Sequence, residues 1–455
     1  MKPSALPSLP KLSPEERRYC DRVQARVDSQ LERLRTVNPV LLDLSIREPS
    51  VGTALGHTVD NKLELLALAR RMGFRDILLA TFDVSLPDEP QVDDDFMQLL
   101  VERGEDLTGG FAFTSIALGK GTFKPNLSML KTAEYGIPNT IVDLDISRES
   151  LPRNEKTRRR FLAWLAEGIQ WFHDNLTGDR GGPPRIYINY QDMTDAYTLD
   201  REWVLQLTRF LASQPIAAVT FEDGRGTLFP FQIGAAAAEL RHLLPPDKRV
   251  LVHIHSGNGM ENAGLLEALL QGADGVWAGF SKEAATIGHA SGAELLANLA
   301  RINNPHVQRK YRLDELLLIA NRMTEINTRR PPPDDFPIIG ANAYRMMLSA
   351  FAQKPGKPMD LPPERIGGAY GYRITAVASD IRVIARRLRE VLGPIEPKPS
   401  TALLDTMRRL MRRDLRAGIR LAYDEPAQLR DLYERARALV KEQPPKAASR
   451  RGKAA

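Results

Sequence analysis

Eight short apolar runs, rich in β-branched and aromatic residues, alternate with longer amphipathic segments over the first two thirds of the chain. This alternation predicts βαβ units and a parallel sheet, and eight strands are the number that closes a (β/α)8 TIM barrel. An open doubly wound sheet is the alternative, but the first run lacks the glycine-rich fingerprint that follows the first strand in that architecture. The runs are VLLDLSI (40–46), DILLATF (76–82), GFAFTSI (110–116), NTIVDLDI (139–146), RIYINY (185–190), IAAVTF (216–221), RVLVHIH (249–255) and DGVWAGF (274–280).

Segments on either side of the predicted barrel have helical patterns. Residues 14–36 predict a helix, with Ser13 as its N-cap and Pro14 in the first helical position. The proline-rich stretch RRPPPDDFP predicts a linker to a small, mostly helical C-terminal appendage. The predicted divisions are an arm and helix over 1–38, the barrel over 39–328, a helical subdomain over 329–395, a basic helical segment over 396–441 and a disordered tail over 442–455.

The composition restricts the compartment and the partners. The 455-residue chain has one cysteine, Cys20, which excludes an internal disulfide and a cysteine-based zinc site. No apolar run approaches the roughly 20 residues of a membrane span, and the first residues lack the apolar core of a signal peptide, so we expect a cytoplasmic protein without a membrane partner. The net charge is +6, but the basic C-terminal runs lack interleaved aromatic residues for base stacking, so we expect no nucleic-acid partner.

The seventh run ends in two of the seven histidines, His253 and His255, and the sequence SGNG follows them. Residues i and i+2 of a strand face the same side, and the functional side chains of a barrel lie where strands end and loops begin. The two imidazoles would therefore converge at the barrel mouth, where imidazole suits zinc, manganese, iron or cobalt. Two ordinary core histidines are the alternative, and the strand-end position favours the metal site.

Charged residues follow other predicted strands as well. Arg47 and Glu48 come directly after the first run, where Glu48 can supply an oxygen ligand and Arg47 can stabilise an oxyanion. Glu222 and Asp223 follow the sixth run, and Asp192 follows the fifth. Buried charges are costly unless they are paired or bind a metal, but a salt bridge in a surface loop is the alternative interpretation.

Taken together, these segments resemble the metal-dependent Claisen-condensing and lyase superfamily, which has a (β/α)8 barrel of the pyruvate carboxyltransferase type. Within it the chain looks most like 2-isopropylmalate synthase and homocitrate synthase, over about residues 40–395. The family's D-x-T-L-R-D-G-x-Q is matched by DLSIREPSV, which has Glu48 at the place of the metal-binding Asp, and its H-x-H by His253 and His255. Further matches are Lys62 for a family lysine, DGRGTLFP (223–230) for D-T-x-G-x-x-x-P, and, beyond the barrel, PIIGANAY (337–344) and LPPERIGG (361–368).

The chain departs from the family pattern at several active-site positions. The family's fourth metal ligand, an Asn, falls on Ala293, which leaves His289 in the same segment as the substitute ligand. A family Glu falls on Gln191 and the catalytic His of the appendage falls on Phe351, and neither of these side chains transfers protons. The cysteine of the lyases is absent too. These departures imply an altered substrate or an altered reaction.

The resemblance implies a divalent-metal enzyme, with Mn, Mg or Zn, that forms a carbon–carbon bond by Claisen-type transfer from an acyl-CoA to a 2-keto acid. Two alternatives stay open: a carbon–carbon-cleaving lyase or aldolase, and a catalytically degenerate homologue that binds a partner. Family synthases are commonly dimers, so a homodimer is implied. The predicted metal ligands are Glu48, His253, His255 and His289, and the predicted catalytic residues are Arg47, Asp192, Glu222 and Asp223.

Overall fold

The chain consists of two compact units, Met1–Pro331 and Pro332–Ala455. The computed structural model describes residues 10–85, 88–119, 121–147, 149–151, 154–191, 193–283, 286–346 and 361–442. Within this described part, no helix is long and apolar enough to cross a membrane.

Eight parallel strands of the first unit close into a barrel, and each strand pairs with the next one in sequence until β8 pairs with β1. Every predicted run overlaps one of these strands, and β5 and β6 extend one and two residues beyond their runs, so the predicted (β/α)8 barrel is confirmed. The strands are β1 (Val40–Asp43), β2 (Asp76–Thr81), β3 (Gly110–Ser115), β4 (Asn139–Asp145), β5 (Ile186–Gln191), β6 (Ala218–Asp223), β7 (Arg249–Ile254) and β8 (Gly275–Ala278).

Helices occupy the connections between the strands. The first helix begins at Pro14, as predicted, because Ser13 and Glu16 form a reciprocal capping box that satisfies two of its free backbone amides. The helices of this unit are α1 (Pro14–Thr36), α2 (Glu48–Gly52), α3 (Val59–Met72), α4 (Val92–Glu102), α5 (Leu127–Glu134), α6 (Glu155–Asn175), α7 (Met193–Leu211), α8 (Pro230–Leu243), α9 (Glu261–Leu270), α10 (Gly292–Arg301), α11 (Pro305–Lys310) and α12 (Leu316–Thr328).

The barrel interior is a packed layer of side chains to which every strand contributes. Alternate residues of a strand face the interior, so once one residue of a strand is known to face inward, the residues two positions before and after it face inward as well. These side chains form one cluster that fills the middle of the barrel. Its members are Leu42, Leu44, Leu78, Phe111, Ile141, Tyr187, Ala218, Leu251 and Trp277.

The second unit is mostly helical and has its own apolar core. Its helices are α13 (Ile381–Leu392), α14 (Thr401–Arg416) and α15 (Pro426–Glu442), and a short parallel pair joins Arg345–Met346 to Gly371–Tyr372. The core includes Leu388, Met407, Leu410, Leu429 and Leu432. The predicted helical appendage is therefore confirmed. The predicted disorder of the tail concerns residues that, from 443 onwards, lie outside the described part.

Candidate metal and active site

His253 and His255 continue the inward-facing series that begins with the core residue Leu251 on β7. His253 is 1% exposed and His255, just beyond the end of the strand, is 6% exposed. Both side chains therefore lie at the mouth formed by the carboxyl ends of the strands, as the spacing predicted.

The hydrogen bonds of His253 determine which of its ring nitrogens can bind a metal. Its Nδ1 lies 2.8 Å from the carbonyl oxygen of Trp277, and because a carbonyl only accepts, Nδ1 carries the proton. The lone pair of His253 is therefore on Nε2, which lies 3.0 Å from Nε2 of His255. This arrangement, with a backbone carbonyl orienting the ring and Nε2 directed towards a second imidazole, is typical of metal-binding histidines.

Glu222 completes a group of three with these histidines. It lies on β6 in register with His253, and its Oε1 is 3.3 Å from Nε2 of His255. Among the described residues, Glu222, His253 and His255 offer ligand atoms that all lie within 4.8 Å of one another. Two nitrogens and a carboxylate oxygen suit a divalent cation such as zinc or manganese. The donor set of this mouth therefore fits the implied metal.

The charges within this group are mutually dependent. Burial opposes ionisation of Glu222, but the hydrogen bond from His255 and the charges of both histidines lower the pKa of this carboxyl. Burial likewise opposes protonation of His255, but the Glu222 carboxylate raises the pKa of this imidazole. For His253, burial and the neighbouring His255 lower the pKa, which keeps the ring neutral and its Nε2 lone pair available.

Arg47 and Glu48 follow β1 at the same mouth. Glu48 is 3% exposed and forms an ion pair with the Arg47 guanidinium. Burial opposes ionisation of Glu48, but the charges of Arg47 and of three histidines lower the pKa of this carboxyl to about 2. Arg47 also donates from Nε to the Thr81 hydroxyl, over 3.1 Å, and its guanidinium lies 4.2 Å from the centre of the Phe113 ring. Arg47 is thus held as a fixed cation beside Glu48, and the Glu48 carboxylate is also within the electrostatic reach of the histidines.

The predicted ligand set and the observed group overlap in the two histidines. Glu222, which the sequence suggested as a catalytic residue, lies with them, whereas the Glu48 carboxylate is paired with Arg47. His289 is fully buried, and its ring centre lies 5.6 Å from that of His253. Its Nδ1 bonds the Ala290 carbonyl and its Nε2 accepts from the Gly279 amide. The role of Glu48 and His289 as metal ligands stays a prediction.

Asp223 holds the loop that follows β6. Its buried carboxylate accepts from the Thr194 hydroxyl over 2.8 Å and from the Leu228 amide over 2.8 Å. These bonds join the loop to the start of α7.

Asp192 lies outside the described residues, as does Phe351, while Gln191 ends β5 in an exposed position. The proton-transfer roles of Asp192 and Asp223 stay predictions.

Two polar residues at the mouth, Asp143 and Asn189, were missed in the sequence. The Asn189 amide nitrogen donates to Asp143 over 2.7 Å and to Glu222 over 3.1 Å, and its carbonyl accepts from Thr220. Burial and the Glu222 charge raise the pKa of Asp143 to about 7. The position of Asp143 in its strand could have identified it in the sequence, because it is two residues beyond the core residue Ile141 and so faces inward.

Two glycines allow the loops after β6 and β7 to approach closely. A Cβ on Gly226 would lie 2.0 Å from the backbone oxygen of His255, and Gly226 has φ +60°. A Cβ on Gly257 would lie 1.7 Å from the backbone oxygen of Arg225. Neither space accepts a side chain, so these glycines set the position of the His255 backbone.

Beneath the Arg47 loop, the buried Lys62 connects three elements. Its Nζ lies 2.8 Å from Asp93 on α4 and donates to the Ile46 carbonyl over 3.3 Å. Asp93 in turn accepts from the Thr81 amide at the end of β2, over 2.7 Å. Lys62 therefore supports the loop from which Arg47 projects, rather than adding a free cation to the mouth.

No protein-family model matches this chain. Solved structures similar to it include the HMG-CoA lyases of Bacillus subtilis, at 17% identity and a TM-score of 0.51, and of Pseudomonas aeruginosa, at 15% and 0.50. They also include the enzyme of Acinetobacter baumannii, at 16% and 0.50, in complex with coenzyme A and 3-methylmalate. Each match covers 66% of this chain and, in the same order, 97%, 96% and 94% of the other. This likeness confirms the barrel fold that the sequence resemblance implied.

Proposed function

We propose that this chain is a divalent-metal-dependent enzyme that cleaves a carbon–carbon bond beside a carbonyl group, in a hydroxyacyl thioester or a related hydroxy acid. The observation that carries the proposal is the convergence of Glu222, His253 and His255 at the barrel mouth, beside the fixed cation of Arg47. Cleavage is preferred to condensation because the structures that share this fold at a TM-score of 0.50 or above include three HMG-CoA lyases.

The proposed roles follow from the chemistry of these side chains. A divalent cation held by Glu222, His253 and His255 would supply Lewis acidity towards a substrate oxygen. The positive charge of the Arg47 guanidinium would stabilise the oxygen on which negative charge develops, and its contacts with Glu48, Thr81 and Phe113 hold it in place before the reaction. No reorganisation of Arg47 is then needed as the charge forms.

Cleavage of a β-hydroxy carbonyl substrate needs two proton transfers. The hydroxyl proton passes to a carboxylate, the carbon–carbon bond breaks, and its electron pair moves to the carbonyl oxygen of the leaving fragment as an enolate. A proton then returns to the enolate carbon, so that atoms and charge balance. Asp192, Glu222 and Asp223 are the carboxylates that the sequence predicted for these transfers. Because Glu222 would hold the metal, we add Asp143, which lies at the mouth beside Asn189, as a further candidate.

Claisen-type condensation is the second candidate, since the same enolate chemistry operates in the bond-forming direction. It is favoured by the segments PIIGANAY and LPPERIGG, which resemble those that follow the barrel in family synthases. Each lyase match covers 66% of this chain, so about a third of the chain has no counterpart in those matches.

Product analysis separates the two candidates. The metal-loaded protein is incubated with 3-hydroxyacyl-CoA thioesters, HMG-CoA among them, and the acyl-CoA and keto products are measured by mass spectrometry. A parallel arm supplies acetyl-CoA with a series of 2-keto acids and follows release of free CoA. Cleavage products that disappear in the Arg47→Lys variant support the proposal, whereas CoA release in the second arm alone would assign condensation. Absence of both reactions across the series, in protein that binds metal, would contradict an enzymatic role of this site.

A further inference from the structure

A cavity of about 700 Å³ opens at the end of the barrel opposite to the proposed metal site. Its lining includes the first residue of β1, Val40, the first residue of β2, Asp76, and the first residue of β7, Arg249. Because the strands are parallel, all of their starts lie at this amino-terminal end, whereas His253 and Glu222 lie at the other end. The cavity is therefore separate from the mouth.

Three cations around this cavity have no carboxylate partner among the residues that the structure describes. Arg75 precedes β2, Arg249 begins β7 and Lys310 ends α11, so three different elements bring them together. Arg75 and Arg249 are exposed, and Lys310 makes one long hydrogen bond of 3.4 Å to the Pro39 carbonyl.

The two acidic residues of the cavity are engaged by other cations. Asp76 pairs with Arg185 over 2.9 Å. Asp274 pairs with Arg241 over 2.9 Å and accepts from the Val250 amide. Neither carboxylate is paired with the three cations, so their positive charge is left to be neutralised from outside.

The three cations also act on one another. Burial, followed by the charges of Arg249 and Arg75, lowers the pKa of Lys310. Repulsion of this kind is unfavourable in the free protein and is relieved when an anion enters the space between the charges.

A polar group lies in the barrel layer next to the cavity. Tyr187 on β5 is 1% exposed, and its ring packs against Phe111 with the ring centres 4.8 Å apart. Burial raises the pKa of its phenol, and the charges of Asp76, Arg185 and Arg249, which all line the cavity, also act on this group.

We propose that the amino-terminal cavity binds a diphosphate group, carried either by free pyrophosphate or by a nucleoside diphosphate. Three cations match the charge of a diphosphate, and guanidinium groups match the geometry of phosphate oxygens. The cavity volume is large enough for more than a single phosphate ion.

Isothermal titration calorimetry of the full-length protein with pyrophosphate, ADP and AMP tests this site. We expect wild-type protein to bind pyrophosphate. Arg75→Ala/Arg249→Ala should weaken this binding by about tenfold or more, since each of the two substitutions removes a charge-assisted contact with the ligand. Arg75→Lys/Arg249→Lys keeps the charge and should bind with intermediate affinity, which shows that the protein is folded. Equal affinity for pyrophosphate and ADP would assign the diphosphate group alone, and tighter binding of ADP would assign a nucleotide.

Two controls separate this cavity from other basic or metal-binding surfaces. Arg409→Ala/Arg412→Ala removes two exposed arginines from α14 of the other unit and should leave pyrophosphate affinity unchanged. His253→Ala/His255→Ala should also retain binding, because the mouth is not involved. No binding by wild-type protein at millimolar concentrations, or equal affinity in wild type and Arg75→Ala/Arg249→Ala, would overturn the proposal.

Discussion

Glu222 on β6 and His255 at the end of β7 place a carboxylate oxygen 3.3 Å from an imidazole nitrogen, on two strands that are paired in register. Adjacent strands of a closed barrel cannot slide past each other without breaking their hydrogen bonds, so this distance is held by the barrel itself. The site is therefore organised before any metal or substrate arrives, as a rigid scaffold for catalysis requires.

Removal of the histidine pair should abolish metal binding. We expect the purified wild-type protein to contain near-stoichiometric divalent metal, measured by elemental analysis, and His253→Ala/His255→Ala to contain almost none. Glu222→Gln keeps the shape but loses the charged ligand, and its metal affinity should fall roughly 100-fold. His242→Ala removes an exposed histidine and should retain the metal. Unchanged metal content in the double variant would contradict the assignment.

Replacement of Arg47 should affect the reaction far more than the fold. In Arg47→Lys, the bond to Thr81 and the stacking on Phe113 are lost, and an ammonium cannot replace the planar guanidinium. We expect kcat to fall about 100-fold or more, with a small change in melting temperature. Arg71→Lys, at an exposed arginine paired with Glu315, is the matched control and should keep full activity. A variant of Arg47 as active as wild type would remove this residue from the mechanism.

A methyl group at Gly226 should displace the His255 backbone. Its Cβ would lie 2.0 Å from the His255 oxygen, so Gly226→Ala should lower both metal affinity and the free energy of unfolding, the latter by about 3 kcal/mol. Gly104 has a similar φ of +64° but open space around it, so Gly104→Ala should cost only about 1 kcal/mol and leave metal binding intact. Equal effects of the two substitutions would show that the close approach is unimportant.

The stability of the barrel should depend on pH through Asp43. Burial raises the pKa of Asp43 to about 7, against the hydrogen bonds from Ser45. The folded protein thus holds this proton more tightly than the unfolded chain, whose aspartates titrate near pH 4. The stabilisation that the protonated Asp43 gives to the folded barrel is therefore complete below about pH 4. It is lost as the pH rises to about 7.

Asp43→Asn cannot ionise and should lack this dependence. Urea unfolding at pH 5 and pH 8 should show the stability of wild type, relative to Asp43→Asn, falling by about 3 kcal/mol between the two values. Asp247→Asn, at an exposed loop position, should give a constant difference from wild type. A difference that is equally constant for Asp43→Asn would show that Asp43 is already ionised in the folded barrel at pH 5.

The sequence by itself determined the elements and their order. Alternating apolar runs predicted the eight strands, Ser13 and Pro14 predicted the start of α1, and the i, i+2 spacing predicted that His253 and His255 share a face. These features follow from the period of a strand or from the cap of a helix, which involve neighbours in the chain. Local chemistry is enough to specify them.

Only the tertiary structure decided which residues meet. The register of β6 and β7 brought Glu222 to the histidines, and the loop after β1 directed Glu48 to Arg47 instead. The barrel interior likewise brought Asp143 to Asn189. The pairings of Glu222 with the histidines and of Asp143 with Asn189 depend on strand register and on closure of the barrel, which relate residues far apart in sequence. No period or motif in the chain encodes those distances, so they emerge only when the eight strands have closed.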